Sequence, residues 1–243
     1  MNVLEFKDIK KSFGKENVLS GVTLKIKEGE IFGLIGTSGC GKSTLLKILT
    51  GMTKADSGEI FITSENLKAG KDFLKESTGF ATQENMLFDE LTIRENSHFF
   101  GQLYGIKKKQ INIRLAELLD LLMLKGFEDV LLDNLSGGMV KRANLLVSLI
   151  HEPKLLILDE PTVGLDSILR ASLWRYINKI NKAGTTILVT SHLLDEIEQN
   201  CASIAILKKG RIIAAASPAK FREKYKGLEF KDIFERLIRN ESI

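Results

Sequence analysis

The sequence has no long hydrophobic run and few cysteines, and each lack excludes a class of protein. Its longest apolar stretches, such as Leu155 to Leu158 and Ile187 to Val189, are too short to cross a bilayer, since a spanning helix needs about 20 apolar residues. The stretch from Met1 to Lys7 lacks the apolar core of a secretory signal. The two cysteines, Cys40 and Cys201, are far apart, which argues against a disulfide framework or a zinc site. We therefore expect an intracellular protein.

The sequence also lacks a strong excess of positive or negative charge: the net charge is only +4 at pH 7. The one run of three lysines, Lys107 to Lys109, has no aromatic residues interleaved with it. We interpret this run as a solvated loop, with acidic lipid or nucleic acid as the alternatives, and we expect no nucleic-acid partner. The chain also shows no internal repeat, low-complexity tract or heptad run.

The 243 residues, of which 44% are hydrophobic, fit one large α/β domain or one domain with a small inserted lobe. Alternation of apolar and polar residues through Val22, Leu24 and Ile26, and again from Val3 to Ile9, predicts antiparallel strands in the first thirty residues. Short apolar strands alternate with helical segments in the second half of the chain, which favours a largely parallel sheet. A hairpin turn is expected at Lys208-Lys209-Gly210.

Helical spacing predicts a lobe of about residues 84–150 set into the α/β core. One helix carries leucines at i, i+3, i+4 and i+7, namely Leu115, Leu118, Leu119 and Leu122, and we expect Gly126 to cap it. Another helix should run from Ser136 until Pro153 forces a break. We expect residues 217–243 to form a C-terminal helical extension, so that residues 1–243 make a single domain.

The segment from Gly36 to Ser43 matches the phosphate-loop pattern G-x-x-x-x-G-K-[ST] in full. Ile31 to Ile35 predicts the strand that the motif needs before it, and Lys42 to Thr50 predicts the helix after it. Glycines let backbone N–H groups turn inward around phosphate oxygens, and the helix adds its positive N-terminal end. The motif predicts a nucleotide site, in which Cys40 is a small filler. It does not choose among a kinase, a motor, a GTPase and a transport ATPase.

Two carboxylates, Asp159 and Glu160, follow the apolar strand Leu155 to Leu158. Ligands of parallel sheets bind at the carboxyl ends of strands, so Asp159 is expected near the Mg²⁺ of the phosphate loop. Glu160, one residue further on, is placed to polarise an attacking water. A solvated acidic turn before Pro161 is the alternative.

The segment Leu135-Ser136-Gly137-Gly138 opens a helix and offers a second set of exposed N–H groups. Ser136 as an ordinary helix cap is the simpler reading. It leaves the two consecutive glycines unexplained, because glycine weakens a helix start unless close approach is needed. One nucleotide needs one cradle, so the second one suggests a site for another molecule's nucleotide.

By their type and their order along the chain, these motifs resemble those of the ATP-binding subunit of an ABC transporter. The resemblance covers nearly the whole chain. Gly36 to Ser43 resembles the Walker A loop, Leu135 to Gly138 the signature, and Asp159 with Glu160 the end of the Walker B strand. Four further segments resemble the aromatic loop, the Q-loop, the D-loop and the switch histidine: Ser12-Phe13-Gly14, Thr82-Gln83, Gly164-Leu165-Asp166 and Thr190-Ser191-His192. The implied fold is a P-loop NTPase core with a largely parallel sheet, an N-terminal antiparallel β subdomain and an inserted α-helical lobe.

The resemblance implies a role for each of these residues. The catalytic residues would be Glu160 as general base, His192 and Lys42 at the γ-phosphate, and Gln83. Mg²⁺ would be bound through Ser43 and Gln83, with Asp159 in its surroundings. ATP would be bound by Phe13 stacked on adenine, by the loop, and by the signature and D-loop of a partner: Gly36, Thr37, Ser38, Gly39, Cys40, Gly41, Lys42, Ser43, Thr44, Ser136, Gly137, Gly138 and Asp166.

The implied partners are a second ATPase subunit, identical or related, arranged head to tail, and a separate membrane-spanning permease subunit. Met139 stands where many members carry glutamine, and residues 91–106 and 227–237 are similar to the exporter-associated subgroup. We therefore expect ATP-driven export, by a cytoplasmic protein held peripherally on the inner face of the cell membrane. Exposed apolar groups around Phe99-Phe100 and Tyr104 would receive the membrane subunit, with core packing as the alternative.

Two other functions remain as alternatives. A soluble ABC-type ATPase of DNA repair or of ribosomes usually has long coiled coils, zinc modules or tandem ATPase units, and this sequence has none of them. A P-loop kinase with a small-molecule acceptor would leave the Ser136 motif and His192 without a role. Co-purification with a membrane protein would separate the transporter subunit from both.

Overall fold

The computed structural model describes residues 2–62, 77–83 and 86–239, and within these ranges two sheets form the framework. The smaller sheet has three antiparallel strands in the order β2-β1-β4: β1 is Asn2–Phe13, β2 is Glu16–Lys27 and β4 is Ser57–Ile62. This arrangement confirms the antiparallel N-terminal subdomain, whose alternating residues Val22, Leu24 and Ile26 are buried.

The larger sheet has six strands in the order β5-β6-β7-β3-β8-β9. Its strands are β3 (Ile31–Ile35), β5 (Thr78–Ala81), β6 (Leu155–Asp159), β7 (Thr186–Thr190), β8 (Ser203–Lys208) and β9 (Arg211–Ala216). All neighbours pair in parallel except β8 and β9, which form the antiparallel hairpin expected at Lys208 to Gly210. The predicted largely parallel sheet is confirmed.

Eight helices accompany the sheets within the described ranges. They are α1 (Lys42–Leu49), α2 (Ile93–Leu103), α3 (Lys108–Leu121), α4 (Gly137–Ser148), α5 (Ser167–Lys182), α6 (Leu194–Asn200), α7 (Pro218–Lys224) and α8 (Phe230–Arg239), besides the short 3₁₀ turn Leu132–Asn134. Helices α2, α3 and α4 form the helical lobe. No helix of the described part of the chain combines the length and apolar character needed to cross a bilayer.

The large sheet separates two hydrophobic clusters, and the alternation within β3 shows how. Phe32 and Leu34 pack on the side of α1 and the three-stranded sheet. Ile31 and Ile35 pack on the other side, with the apolar faces of α3, α4 and α5. Because residues of a strand alternate between its faces, this continuously apolar strand is buried on both sides. The loop that follows β3 therefore starts from a rigid base.

The predicted cap at Gly126 is wrong. Helix α3 ends at Leu121, and Met123 adopts the left-handed conformation at φ 52°. The amide of Leu124 donates to the Leu119 carbonyl (2.8 Å), and that of Met123 donates to the Asp120 carbonyl (3.2 Å). This is a Schellman ending, and it brings Leu119 and Leu124 together in the core. Burial of these leucines therefore outweighs the preference for glycine in the left-handed position.

Candidate active site

The phosphate loop connects β3 to α1, and its conformation depends on glycine. Gly39 and Gly41 have φ of 73° and 111°, a region that other residues rarely adopt. Gly36 is required for space, because a Cβ there would lie 2.3 Å from the Leu207 carbonyl oxygen and 2.6 Å from Cys40 Sγ. Cys40 is buried beneath the loop, and burial raises the pKa of its thiol. A buried, protonated thiol supports its interpretation as a filler.

Lys42, the first residue of α1, folds back over the loop. Its Nζ donates to the Gly36 carbonyl at 2.8 Å and lies 3.4 Å from the Thr37 carbonyl oxygen. The ammonium group is therefore held at the mouth of the loop, where backbone N–H groups and the N-terminal end of α1 also favour an anion.

A cavity of about 590 Å³ opens beside the loop. It brings together most of the predicted catalytic and phosphate-binding residues with two valines, and its lining is Val18, Ser38, Gly39, Gly41, Lys42, Ser43, Thr44, Gln83, Glu160, Val163 and His192. The remaining loop residues, Gly36, Thr37 and Cys40, belong to the same turn without lining this space. The cavity therefore combines an anion cradle with a carboxylate and an imidazole.

The strand end predicted to carry the acidic residues does so. Asp159 ends β6, is buried, and accepts a hydrogen bond from Thr190 Oγ1 at 2.6 Å. Glu160 follows at φ 51°, a strained conformation for glutamate, and its amide donates to Thr190 Oγ1 at 3.1 Å. Its Oε2 accepts from His192, with 2.8 Å to Nδ1 and 3.3 Å to the amide nitrogen. The neighbouring strands β6 and β7 thus pair the predicted base with the predicted switch histidine.

Gln83 lines this cavity, whereas Phe13 does not. Gln83 follows β5 and lines it, and the Gln83 carbonyl accepts from Lys141 Nζ of α4 at 3.2 Å. Partial burial lowers the pKa of Lys141. Phe13 does not line the cavity: it ends β1, with 52% of its surface exposed and Lys11 Nζ 5.2 Å from its ring centroid. The exposed half of its surface is available for stacking on a flat ligand.

The signature residues and Asp166 are outside the cavity of their own chain. Ser136 caps α4, with Oγ 3.4 Å from the Met139 amide nitrogen, so the alternative that it is a helix cap is confirmed. A Cβ on Gly137 would contact no atom within 4 Å, so no packing within the chain requires glycine there. Asp166 caps α5 by accepting from the amides of Ile168 and Leu169, each at 2.9 Å.

Three residues of the site were not predicted from the sequence. Val18 and Val163 line the cavity, and no pattern distinguishes them from core valines. Thr190 connects Asp159 and Glu160 through its hydroxyl, although the sequence marked it only as a neighbour of His192. Its position at the carboxyl end of β7, beside β6, was the available signal.

The oxygen donors of the site suit Mg²⁺. No cluster of three or more histidine, cysteine or acidic side chains that could hold a metal occurs among the described residues. Mg²⁺ does not need one, because it is usually bound through one or two protein oxygens together with water and phosphate oxygens. Ser43 and Gln83 line the same cavity as the phosphate loop, and Asp159 is buried at the end of β6, next to Glu160 of the lining. These residues fit the ion.

Comparisons with known proteins show which family the chain resembles. A family model described as ABC transporter matches residues 19–163. The Nod factor export ATP-binding protein I of Rhizobium sp. is 36% identical over 95% of this chain and 76% of its own length. The linearmycin resistance ATP-binding protein LnrL of Bacillus subtilis is 36% identical over 87% of this chain and 68% of its own length.

Solved structures show the same fold. A structure described as the ATP-binding subunit of an ABC transporter superimposes with a TM-score of 0.87 at 29% identity, covering 97% of this chain and 99% of that one.

Proposed function

Because this chain belongs to the ABC transporter family, as an ATP-binding ATPase whose reaction is coupled to transport, we propose that it works as a head-to-tail dimer, of two copies or of related chains, that drives export through a separate membrane subunit. The observation that carries the hydrolytic part of the proposal is the meeting of Glu160 and His192 in the phosphate-loop cavity. An ordinary anion-binding loop does not need a carboxylate facing the same space.

In the proposed reaction, Lys42 and the loop amides hold the β- and γ-phosphates while Glu160 activates a water. The water oxygen attacks the γ-phosphorus, the bond to the β-phosphate oxygen breaks, and Glu160 accepts the proton of the water. His192 stabilises the γ-phosphate and is itself oriented by Glu160. Mg²⁺, bound through Ser43 and Gln83 near Asp159, would neutralise phosphate charge. Phe13 stacks on the adenine.

The shared site is supported by the residues that the cavity lacks. Ser136, Gly137, Gly138 and Asp166 do not line it, yet Gly137 has open space where a side chain would be. Since no contact within the chain explains that glycine, we assign its small size to the approach of a partner's ATP. Asp166 would lie near the dimer interface and connect the two sites.

A pair of isosteric variants tests this assignment. Asparagine and aspartate both cap helices well, so Ser136→Asn and Ser136→Asp should melt alike. If Ser136 faces a partner's phosphate, only the aspartate adds a repelling charge, and only Ser136→Asp should lose ATPase activity by roughly tenfold or more. Equal activity of the two variants would contradict the shared site.

Mixing two inactive chains gives a second test. In a head-to-tail heterodimer, the Ser136→Asp signature faces the Lys42→Ala loop, so both defects fall in one composite site. The other site has an intact loop and an intact signature. Mixing Lys42→Ala with Ser136→Asp should therefore restore part of the activity. Mixing Lys42→Ala with a chain that carries both Ser136→Asp and Lys42→Ala should restore none, because both loops are then defective.

The direction of transport and the membrane partner are proposals drawn from the relatives, which act in Nod factor export and linearmycin resistance by their names. We propose a cytoplasmic protein on the inner face of the membrane, bound to a permease. Helix α2 and the segment before it expose a patch of Met86, Phe88, Phe99 and Leu103. Phe100 packs against the core, so it is less available than the sequence suggested. Tyr104 stacks on His151 with one face of its ring and is 38% exposed.

Co-purification tests the docking patch. Leu103 is 68% exposed, so Leu103→Asp should fold normally, keep its ATPase activity and lose a co-expressed membrane subunit. Ile113→Asp is the matched control, because Ile113 is 55% exposed on α3 of the same lobe but outside the patch. Retention of the membrane subunit by Leu103→Asp would contradict docking here. A soluble partner in place of a membrane protein would favour the DNA-repair or ribosomal alternative.

A further inference from the structure

Glu196, on α6, joins three separate segments through one partly buried carboxylate. Its Oε2 accepts hydrogen bonds from Thr162 Oγ1 and from Trp174 Nε1, each at 2.8 Å. Its Oε1 lies 3.5 Å from Arg170 Nη1, and only 15% of its side chain is exposed. Thr162 and Trp174 are themselves buried. A carboxylate in such surroundings has strong, directional hydrogen bonds.

The partners of Glu196 are each a short distance along the chain from a residue of the site. Thr162 follows Glu160 by two residues, and Glu196 follows His192 by four. Arg170 and Trp174 lie on the first turns of α5, which Asp166 caps. The Glu196 carboxylate therefore connects the segment of the predicted base, the segment of the switch histidine and the helix that begins at the predicted interface.

We propose that Glu196 is a positioning residue that holds the Glu160–His192 pair in register and passes movement of α5 to it. The proposal rests on the proposed function, since it assumes that Glu160 and His192 act on ATP. The 2.8 Å contact between these two side chains spans two loops that have no covalent link nearby. Thr190 already joins the two strand ends through its bonds to Asp159 and Glu160. The bond from Thr162 to Glu196 adds a connection further along, between the turn after Glu160 and the helix after His192.

The same helix supplies a matched control. Glu198, two residues further along α6, is also a partly buried carboxylate, with 13% of its side chain exposed, and it accepts from Arg222 Nε of α7 at 2.8 Å. It connects α6 to α7 and has no bond to Thr162 or α5 among the described contacts. A loss of activity that follows only from general loosening of α6 should appear equally in Glu198→Ala.

Trp174 makes the connection visible. It is the only tryptophan of the chain, and its indole N–H donates to Glu196. Its fluorescence therefore reports on the Glu196 carboxylate without any label. If nucleotide binding moves the segments that Glu196 joins, MgATP should change the Trp174 emission of the parent protein.

The test compares five proteins: the parent, Glu196→Ala, Thr162→Val, the double variant of these two, and Glu198→Ala. Thr162→Val keeps the shape of the side chain and removes the hydroxyl that donates to Glu196. Both Glu196→Ala and Thr162→Val should lower kcat by roughly tenfold or more with KM for ATP within about twofold, because geometry is lost rather than binding. Glu198→Ala should keep kcat within about twofold. The double variant Glu196→Ala, Thr162→Val should lose no more than the larger single loss, since both changes remove the same bond between Thr162 and Glu196.

The fluorescence arm accompanies the kinetics. The MgATP-dependent change in Trp174 emission should be present in the parent and in Glu198→Ala, and absent in Thr162→Val at ATP concentrations that saturate its KM. Normal kcat in Thr162→Val, or an equal loss of kcat in Glu198→Ala, would overturn the inference. If Glu196→Ala does not melt cooperatively, Thr162→Val alone decides. A parent without ATPase activity would overturn the proposed function as well, whereas an active parent with normal variants overturns this inference alone.

Discussion

Glu160 Oε2 lies 2.8 Å from His192 Nδ1 and 3.3 Å from the His192 amide nitrogen, so one carboxylate oxygen orients both the ring and the backbone of the histidine. Since an ionised carboxylate only accepts, Nδ1 carries the proton in this contact. The other ring nitrogen, Nε2, is then left for the cavity. The same carboxylate thus serves as the predicted base and as the support of the histidine.

Replacing Glu160 should separate ATP binding from hydrolysis. Glu160→Gln keeps an oxygen to accept from His192 but cannot take a proton, so kcat should fall by about a hundredfold or more while ATP still binds. In sedimentation, ATP should then hold two chains together. Glu28→Gln, which changes an exposed carboxylate outside the cavity, is the control. A strictly monomeric Glu160→Gln protein at saturating ATP would argue against the dimer, unless the membrane subunit is needed to assemble it.

Gly137→Ala should keep the fold and lose activity. Its new Cβ would contact nothing within the chain, and alanine is favoured over glycine in helices by up to about 1 kcal/mol, so the melting temperature should stay equal or rise. ATPase activity should fall because the methyl group meets the partner's nucleotide. Gly101→Ala provides the contrast, since its Cβ would lie 2.7 Å from Ile111 Cδ1 and should lower the melting temperature. Full activity of Gly137→Ala would refute the close approach.

Phe13→Ala should weaken ATP binding without destabilising the protein. Stacking of a base on an aromatic ring contributes about 1–3 kcal/mol, so KM for ATP should rise about fivefold or more. Because half of Phe13 is exposed, its truncation should change the melting temperature little. Phe13→Tyr keeps the flat face and should behave like the parent. An unchanged KM together with a large drop in melting temperature would return Phe13 to a structural role.

His151 should make stability fall in mild acid. Burial lowers its pKa to about 4, and its Nε2–H donates to the Thr78 carbonyl at 3.2 Å while Nδ1 is buried without a described partner. The unfolded chain, with a pKa near 6.5, binds the proton first. Stability is therefore complete above about pH 6.5 and decreases toward about pH 4, by at most about 3 kcal/mol.

His151→Phe isolates this effect, because phenylalanine keeps a ring to stack on Tyr104 but cannot titrate. The unfolding free energy of the parent minus that of His151→Phe should decrease as the pH is lowered from 7 to 4, because only the parent loses stability by this route. Urea titration at each pH measures both values. A difference that does not depend on pH would show that His151 does not titrate in this range.

Local patterns predicted most of the strands, most helices and most of the residues that line the cavity for a common reason: each depends on a short segment. The phosphate loop needs only its glycines and the strand before it, and Asp159 with Glu160 needs only the end of β6. The end of α3 was mispredicted because burial of Leu119 and Leu124, a matter of tertiary packing, overrides the glycine preference. Thr190 and Glu196 could not be assigned, since their partners are about 30 residues away and meet them only across neighbouring elements.

The contact of Lys42 with the Gly36 carbonyl has a consequence for the affinity of the phosphate site. A lysine side chain that is free in solvent must give up its rotational freedom when it binds an anion, at a cost of about 0.5–1.5 kcal/mol. Here the loop's own carbonyls have already confined the ammonium group, so much of that entropy is lost when the chain folds instead of when ATP arrives. By this effect alone, a given set of phosphate contacts would bind about twofold to tenfold more tightly than with a disordered lysine.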